Sequence, residues 1–159
     1  MTRVFTSSVI SASVNQVWMK IRDFNALPDW HPAVANSYLE NGESSARVGC
    51  IRNFHLKDGG NIREKLLALS DLDYFYTYSI LESPMPLKNY VATLHLKPIT
   101  DEALTYVEWT AMFECEPEEE KNLIELIGDG VFQTGFNSLK KIFNDETKPA
   151  ERESHRTTR

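Results

Sequence analysis

The fold of this chain is decided by the stretch EEEKNLIELIGDGVFQTGFNSLKKIF, residues Glu118–Phe143. Its apolar residues recur at intervals of three and four, which is typical of an amphipathic helix with one broad apolar face. At about 1.5 Å per residue the helix is roughly 40 Å long and crosses a small sheet from end to end. Gly128, Gly130 and Gly135 are costly inside a helix. Two interpretations remain open: the glycines leave room for a ligand or a close sheet contact, or they mark a bend.

Strand-like segments fill most of the chain before this helix. A β-rich opening within Arg3–Ser13 leads into a short amphipathic helix, which starts at the N-cap Ser13 and ends near Asp23. A second short helical turn is expected near Ala26–Trp30, where prolines prevent a longer helix. Six further strands are predicted at Val34–Glu40, Arg47–Lys57, Asn61–Leu69, Tyr74–Leu81, Tyr90–Pro98 and Leu104–Cys115. This order predicts an α+β fold in which a curved antiparallel sheet wraps around the C-terminal helix and encloses a cavity.

The composition is that of an ordinary globular protein. The 159 residues are 42% hydrophobic and 25% charged, with a net charge of −6. We expect one domain at 1–145 and a disordered polar tail at 146–159. The acidic balance argues against non-specific binding of nucleic acid, which needs clustered lysine and arginine. No stretch approaches the roughly 20 apolar residues that cross a bilayer, and no signal peptide is visible, so we expect a cytoplasmic protein without membrane insertion.

Cysteine and histidine spacing gives no sign of a metal or cofactor site. Cys50 and Cys115 belong to no ligand motif and are expected to be reduced thiols rather than a disulfide or a reactive thiol. The four histidines lack the spacing of metal ligands. We therefore expect no metal and no cofactor.

Strand periodicity assigns side chains to the face of the sheet that meets the helix. A three-residue turn at Asp58–Gly60 pairs Leu56 with Ile62, and it puts Arg52 and Glu64 on this inner, apolar face as diagonal neighbours. A charge is expensive to bury unless it is paired. We therefore expect the two residues to pair with each other or with a ligand.

The strand after this hairpin carries a row of tyrosines. Tyr74, Tyr76 and Tyr78 share one face, which we assign to the interior. A tyrosine offers a large apolar ring with one polar group, which suits a pocket for an aromatic or lipid-like ligand. An inner face of aromatic and aliphatic residues is equally typical of a packed sheet, so a ligand cavity and a filled core both remain open.

Several motifs together resemble one known family. They are Val17-Trp18, Trp30-His31-Pro32, Asp58-Gly59-Gly60 with Glu64, Tyr76-Thr77-Tyr78-Ser79-Ile80 and Gly130-Val131-Phe132. Nearly the whole chain except the tail resembles bacterial members of the polyketide cyclase/dehydrase and lipid-transport superfamily, the START-like or SRPBCC proteins. The resemblance implies a helix-grip fold: a seven-stranded antiparallel β-sheet wrapped around a long C-terminal helix, with two short helices, enclosing a cavity.

Periodicity and resemblance together point to an internal ligand site. The predicted cavity lining is Arg52, Phe54, Glu64, Tyr76, Tyr78, Leu94, Trp109, Phe113, Phe132 and Phe136, and the predicted mouth is Trp30, His31 and Met85. We expect a monomer or weak dimer that binds or carries a small hydrophobic ligand, such as a lipid, a polyketide or an aromatic compound. Two alternatives remain: a cyclase or dehydratase with Glu64 and Tyr78 as acid–base candidates, and a protein-interaction module.

Overall fold

The computed structural model describes residues 1–144. Seven strands are present: β1 (Thr2–Ile10), β2 (Val34–Leu39), β3 (Ile51–Leu56), β4 (Asn61–Ser70), β5 (Phe75–Glu82), β6 (Lys88–Pro98) and β7 (Thr105–Glu114). They form one antiparallel sheet in the order β1-β7-β6-β5-β4-β3-β2. Two short helices, α1 (Val14–Ile21) and α2 (Leu27–Trp30), connect β1 to β2. With the C-terminal helix at 117–144, these elements confirm the predicted helix-grip fold.

Helix α1 begins at the predicted N-cap. The Ser13 hydroxyl accepts a hydrogen bond from the Gln16 backbone N–H, and the Gln16 side chain accepts one from the Ser13 N–H. This reciprocal arrangement satisfies N–H groups that a helix start otherwise leaves without partners. Val17, Trp18 and Ile21 are buried, so α1 packs its apolar face against the sheet beside β6.

The C-terminal helix changes its winding in the middle. It starts as α3 (Pro117–Glu125), continues as a π-helical segment at Leu126–Gln133 and returns to α-helix at 134–144. We call Leu126–Gln133 the π segment. A side chain at Gly128, inside it, would bring a Cβ within 3.4 Å of Val4 on β1. That distance is an ordinary van der Waals contact, so Gly128 lies against the sheet, but its position does not require a glycine.

Strand β3 is shorter than predicted. The segment from Arg47 to Cys50 is a turn, closed by a 3.0 Å hydrogen bond from the Cys50 N–H to the Arg47 carbonyl. Gly49 has a φ of +98°, a left-handed conformation that a strand does not contain. The strand therefore begins at Ile51 and not at Arg47.

The register of the β3–β4 hairpin differs from the prediction by two residues. Phe54 pairs with Ile62, and Arg52 lies directly opposite Glu64 rather than diagonal to it. The Leu56 N–H donates to the Gly60 carbonyl at 2.8 Å, which pairs these residues and places the turn at 57–59, one residue earlier than predicted. A shift of two residues leaves every side chain on its predicted face, whereas a shift of one reverses all of them.

No helix within residues 1–144 is long and apolar enough to span a membrane. Cys50 and Cys115 are both free thiols, and Cys50 is buried. The predicted polar tail, 146–159, lies outside the described residues.

Candidate ligand-binding site

A half-enclosed cavity of about 590 Å³ lies between the inner face of the sheet, α2 and the C-terminal helix. Its volume is within the usual range of small-molecule sites, roughly 300 to 1,000 Å³, and most of its wall is apolar. The wall is formed by Leu27, His31, Ala33, Val34, Arg52, Phe54, Leu56, Lys57, Asp58, Ile62, Glu64, Tyr78, Ile80, Pro84, Met85, Pro86, Tyr90, Trp109, Leu126, Ile127, Gly130 and Val131.

A buried ion pair forms the polar part of this wall. The Arg52 Nε donates to Glu64 Oε1 at 2.9 Å, and a terminal nitrogen of the same guanidinium lies 2.8 Å from that oxygen. The side chains of Arg52 and Glu64 are only 1% and 7% exposed. Both contacts reach the same oxygen, so Oε2 receives no hydrogen bond from any residue in the described chain.

A backbone hydrogen bond and two aromatic rings fix the side chain of Arg52. Its Nη1 donates to the Phe24 carbonyl at 2.9 Å, and its guanidinium carbon lies 3.9 Å from the centre of the Phe24 ring. The same guanidinium carbon lies 4.9 Å from the centre of the Tyr78 ring, within the range of a cation–π interaction. The loop between α1 and α2 brings Phe24 there. These contacts fix Arg52 beside Glu64, and both residues of the pair border the cavity.

Burial and mutual attraction both change the pKa values of Arg52 and Glu64. Burial disfavours the charged form of Arg52, but the Glu64 carboxylate together with Tyr76 and Tyr78 outweighs it, so the pKa of Arg52 is raised above its ordinary value. Burial raises the pKa of Glu64, and the attraction and hydrogen bonds of Arg52 oppose that rise. Glu64 is therefore a carboxyl whose proton affinity is increased by its surroundings.

A hydrogen bond from Trp109 on β7 positions the side chain of Tyr78 on β5. The Trp109 Nε1–H donates to the Tyr78 hydroxyl at 3.0 Å, and both side chains are buried. Burial raises the pKa of Tyr78 well above its ordinary value, so the phenol stays protonated. Its own O–H hydrogen is not used by Trp109, which is itself a donor.

His31 ties α2 to the C-terminal helix. The Ala33 N–H donates to His31 Nδ1 at 3.3 Å, so the proton is on Nε2, which donates to the Val131 carbonyl at 2.7 Å. Burial lowers the pKa of His31, although its bond to Val131 acts in the opposite direction. A neutral His31 thus connects to the π segment at the edge of the cavity.

The mouth of the cavity is formed by three chain segments. They are the π segment, through Leu126 and Gly130, the β5–β6 loop around Met85, and the β3–β4 turn at Lys57. Leu126 is 48% exposed although it is apolar. An apolar side chain at the rim of an apolar cavity extends the surface that a hydrophobic ligand meets.

Not every predicted site residue reaches this cavity. Its wall includes Arg52, Phe54, Glu64, Tyr78 and Trp109 of the predicted lining, and His31 and Met85 of the predicted mouth. Outside the wall, and buried in the packed core, are Tyr76, Leu94, Phe113, Phe132, Phe136 and Trp30.

Packing against other aromatic rings explains why Phe132, Phe136 and Trp30 lie in the core and not in the cavity wall. Phe132 stacks on Trp109 with ring centres 4.4 Å apart, and Phe136 packs on the same ring at 6.0 Å. Trp30 covers another edge of Trp109 at 5.8 Å. The C-terminal helix therefore fills this part of the interior, and the cavity is displaced toward β3, β4 and β5.

Some cavity residues were missed at the sequence level. Tyr90 is in phase with the inner residues Ala92 and Leu94 of β6, so strand periodicity was a sufficient signal for it. Leu126 had no such signal, because its position depends on the π-helical winding, and Gly130 was marked only as one of the helix glycines that leave room for a ligand or a sheet contact or mark a bend. Among residues 1–144 no three His, Cys, Asp or Glu side chains are grouped in a way that holds a metal ion.

The family model described as polyketide cyclase / dehydrase and lipid transport matches residues 1–144. The chain belongs to this family. The solved structure of XoxI from Bacillus cereus is similar to this chain. The two sequences are 33% identical, and the TM-score is 0.83 over 92% of this chain and 99% of XoxI. No curated protein matches the chain.

More distant structures share the fold alone. Norcoclaurine synthase from Thalictrum flavum, solved with dopamine and hydroxybenzaldehyde, is 17% identical, with a TM-score of 0.72 over 91% of this chain and 87% of that one. A START superfamily protein from Mycobacterium smegmatis is 12% identical, with a TM-score of 0.74 over 91% of this chain and 99% of that one. Both structures are less than 25% identical to this chain, so they show the fold alone, and the fold by itself does not assign a function.

Proposed function

We propose that this protein binds a small, mostly apolar molecule in the cavity beside Arg52 and Glu64. The observation that carries the proposal is the cavity itself: about 590 Å³, half-enclosed, apolar over most of its wall and polar at one place. A site of this kind holds a ligand by burial of apolar surface and orients it by a few polar contacts. The family's association with lipid transport agrees with this function.

The test is a fluorescence titration with N-phenylnaphthylamine, an apolar probe that brightens when it leaves water. Gly130→Phe places an aromatic ring at the mouth, where a Cβ has ordinary contact with Leu126 at 3.5 Å. We expect this variant to fold and to lose most of the probe binding. Glu125→Phe is the matched control, because it adds the same ring to an exposed position of the same helix outside the cavity wall.

Two results would contradict the proposal. Equal binding by Gly130→Phe and the parent protein would mean that the probe binds elsewhere. Absence of probe binding by the parent, together with a bare mass in native mass spectrometry of protein purified from its own host, would mean that the cavity is not a binding site.

A second candidate function, catalysis of a cyclisation or dehydration, is favoured by one specific observation. Glu64 presents a carboxylate oxygen toward the cavity, and burial raises its pKa in the direction that suits an acid–base group. Tyr78 lies in the same wall as a protonated phenol that can polarise a carbonyl. If this candidate is correct, Glu64→Gln abolishes turnover of a polyketide-like substrate and leaves most of the binding; if no turnover is seen in the parent, the binding function stands alone.

A further inference from the structure

The unused oxygen of Glu64 selects the chemistry of the ligand. Arg52 places both of its contacts on Oε1, at 2.9 and 2.8 Å, and Oε2 has no donor among residues 1–144. In the described chain Tyr76 Oη is the only fully buried side-chain oxygen or nitrogen without a partner, so Oε2 is open to the cavity. A carboxylate oxygen that loses its water to a ligand is costly to leave without a new partner. Because Glu64 is part of the cavity wall, the molecule that fills the cavity is the natural source of that partner.

We propose that the ligand carries a neutral or cationic hydrogen-bond donor, namely an alcohol, phenol or amine, which binds Glu64 Oε2, and that carboxylate ligands are rejected. This inference rests on the proposed binding function and adds the class of ligand to it. It separates hydroxylated or amine-bearing apolar molecules from free fatty acids and aromatic acids, which have the same apolar part but present a negative charge.

Arg52 does not offer a carboxylate a compensating site. Arg52 also borders the cavity, but its Nε and one terminal nitrogen are committed to Glu64 Oε1 and its Nη1 to the Phe24 carbonyl, and the Phe24 and Tyr78 rings pack on it at 3.9 and 4.9 Å. An incoming carboxylate therefore meets an arginine that is already neutralised by the Glu64 carboxylate. Two like charges in a partly water-excluded site repel each other strongly, and neither retains its hydration.

The other polar groups of the wall do not offer a carboxylate a buried partner. Lys57 and Asp58 border the cavity as well, but both are exposed at the β3–β4 turn and carry opposite charges. The donor of His31, Nε2–H, is committed to the Val131 carbonyl, and the N–H of Trp109 is committed to Tyr78. The Tyr78 hydroxyl can donate to a neutral carbonyl or ether oxygen of the same ligand. Such a neutral phenol adds a second orienting contact, but it does not neutralise an additional negative charge beside Glu64.

The test compares three probes that share one aromatic ring system: naphthol, methoxynaphthalene and naphthoate, measured by isothermal titration at neutral pH. Naphthol has the donor, methoxynaphthalene lacks it, and naphthoate is an anion. We expect naphthol to bind about tenfold more tightly than methoxynaphthalene, since a hydrogen bond to a charged group is at stake. We expect naphthoate to bind more weakly than either.

Two variants test the same point from the side of the protein. In Glu64→Gln the Arg52 charge has no counter-ion, so the order is expected to reverse and naphthoate becomes the tightest of the three probes. The double variant R52M/E64L removes the pair as a unit, which proteins tolerate better than loss of one partner. It is expected to fold, to bind naphthol and methoxynaphthalene equally, and to keep the test valid if the single variant does not fold.

The failures are distinguishable. If all three probes bind the parent protein with similar affinity, or naphthoate binds best, the donor inference is overturned while the binding function survives. If none of the three binds and N-phenylnaphthylamine does not bind either, the proposed binding function fails and takes the inference with it. A preference for naphthol that persists unchanged in R52M/E64L would assign the donor site to another group and overturn the role of Glu64.

Discussion

The inner face of the sheet has a packed half and an open half. Over β1 and β7 the C-terminal helix lies close, with Phe132 stacked on Trp109 at 4.4 Å. Over β3, β4 and β5 the same face borders a cavity of about 590 Å³, and it carries a charged pair. Apolar side chains are buried in both halves. Their difference shows that the path of the helix, more than the residues on the strands, decides where a cavity forms.

The sharpest test of this comparison is one substitution made in each half. Phe113 is fully buried in the packed half, where it stacks with Tyr90 at 6.1 Å, whereas Phe54 belongs to the cavity wall. We expect Phe113→Ala to lower the free energy of unfolding by about 3–5 kcal/mol, because it leaves a closed void. Phe54→Ala is expected to cost at least about 1 kcal/mol less, since its ring already borders open space and only part of its contacts are lost.

The measurement is urea unfolding of both variants, with the slopes compared to confirm a common two-state transition. Equal losses would mean that the cavity wall is as tightly packed as the core. That result would remove the distinction between the two halves.

The second test concerns the charged pair of the open half. Glu64→Leu leaves Arg52 charged and unpaired in a buried position, and we expect a loss of about 3 kcal/mol. The double variant R52M/E64L is expected to recover most of this loss, because no charge remains to be buried. The comparison is with Glu40→Leu, which breaks the Arg63–Glu40 pair on the outer face, where both side chains have contact with solvent.

For the outer pair we expect a loss of no more than about 1 kcal/mol, as is usual for exposed pairs. Thermal unfolding of the four proteins at one ionic strength measures both effects. A Glu64→Leu loss as small as that of Glu40→Leu would show that water reaches Arg52 freely. The open half would then be a surface groove rather than a cavity.

The faces of the strands could be predicted from sequence, but the division between the two halves could not. Arg52 and Glu64 share the inner face under the predicted register and under the observed one, because side chains alternate with a period of two. Phe132 and Phe136 were assigned to the cavity because they are on the apolar face of the helix. Whether that face is in contact with the sheet or with a void depends on how closely the helix approaches, which the local pattern does not specify.

Gly128 and Gly130 show how much of the helix geometry the local sequence pattern predicts. Their presence in a helical stretch signals that something unusual happens there. The sequence does not reveal that Gly128 lies against Val4 whereas Gly130 borders the cavity, because this depends on the π-helical winding between them. A π-helical segment is rare in general and frequent at functional sites, so it is seldom predicted from sequence alone.

The third test uses two of the helix glycines, one from each half. A Cβ at Gly135 would lie 3.0 Å from Trp30, 3.1 Å from His31 and 3.2 Å from Trp109, all of them ring atoms in the packed half. We expect Gly135→Ala to destabilise the protein by about 1–2 kcal/mol, since the strain of overpacking exceeds the gain in helix propensity. Gly130→Ala meets only Leu126, at 3.5 Å, and is expected to stabilise the protein by about 0.5–1 kcal/mol.

Chemical denaturation of the two alanine variants and the parent shows whether each substitution raises or lowers the free energy of unfolding. If both substitutions stabilise the protein, the rings around Gly135 can move apart, and the packed half is looser than the contacts indicate. If both destabilise it, the π segment itself depends on glycine at position 130.

The smallest expected effect lies at the boundary of the two halves, where His31 binds the Val131 carbonyl. Burial lowers the pKa of His31 in the folded protein below its ordinary value of about 6.5. Between these two pKa values the unfolded chain binds a proton that the folded protein does not bind. The stability contributed by the neutral ring is therefore complete above about pH 6.5 and is lost as the pH falls through the folded-state pKa.

We expect His31→Gln, whose amide can still donate to Val131, to remove this acid sensitivity at a cost of about 1 kcal/mol at neutral pH. Urea midpoints of parent and variant at steps between about pH 7 and about pH 5 measure the difference in slope. The raised pKa of Glu64 changes stability in the opposite direction, since its folded state holds the proton more firmly, but that contribution is common to both proteins and cancels in the difference. His55→Gln, on the exposed outer face, controls for the loss of a histidine. Parallel slopes for the parent and His31→Gln would show that His31 is protonated as easily in the folded protein as in the unfolded chain, and would remove it as a fixed link between α2 and the π segment.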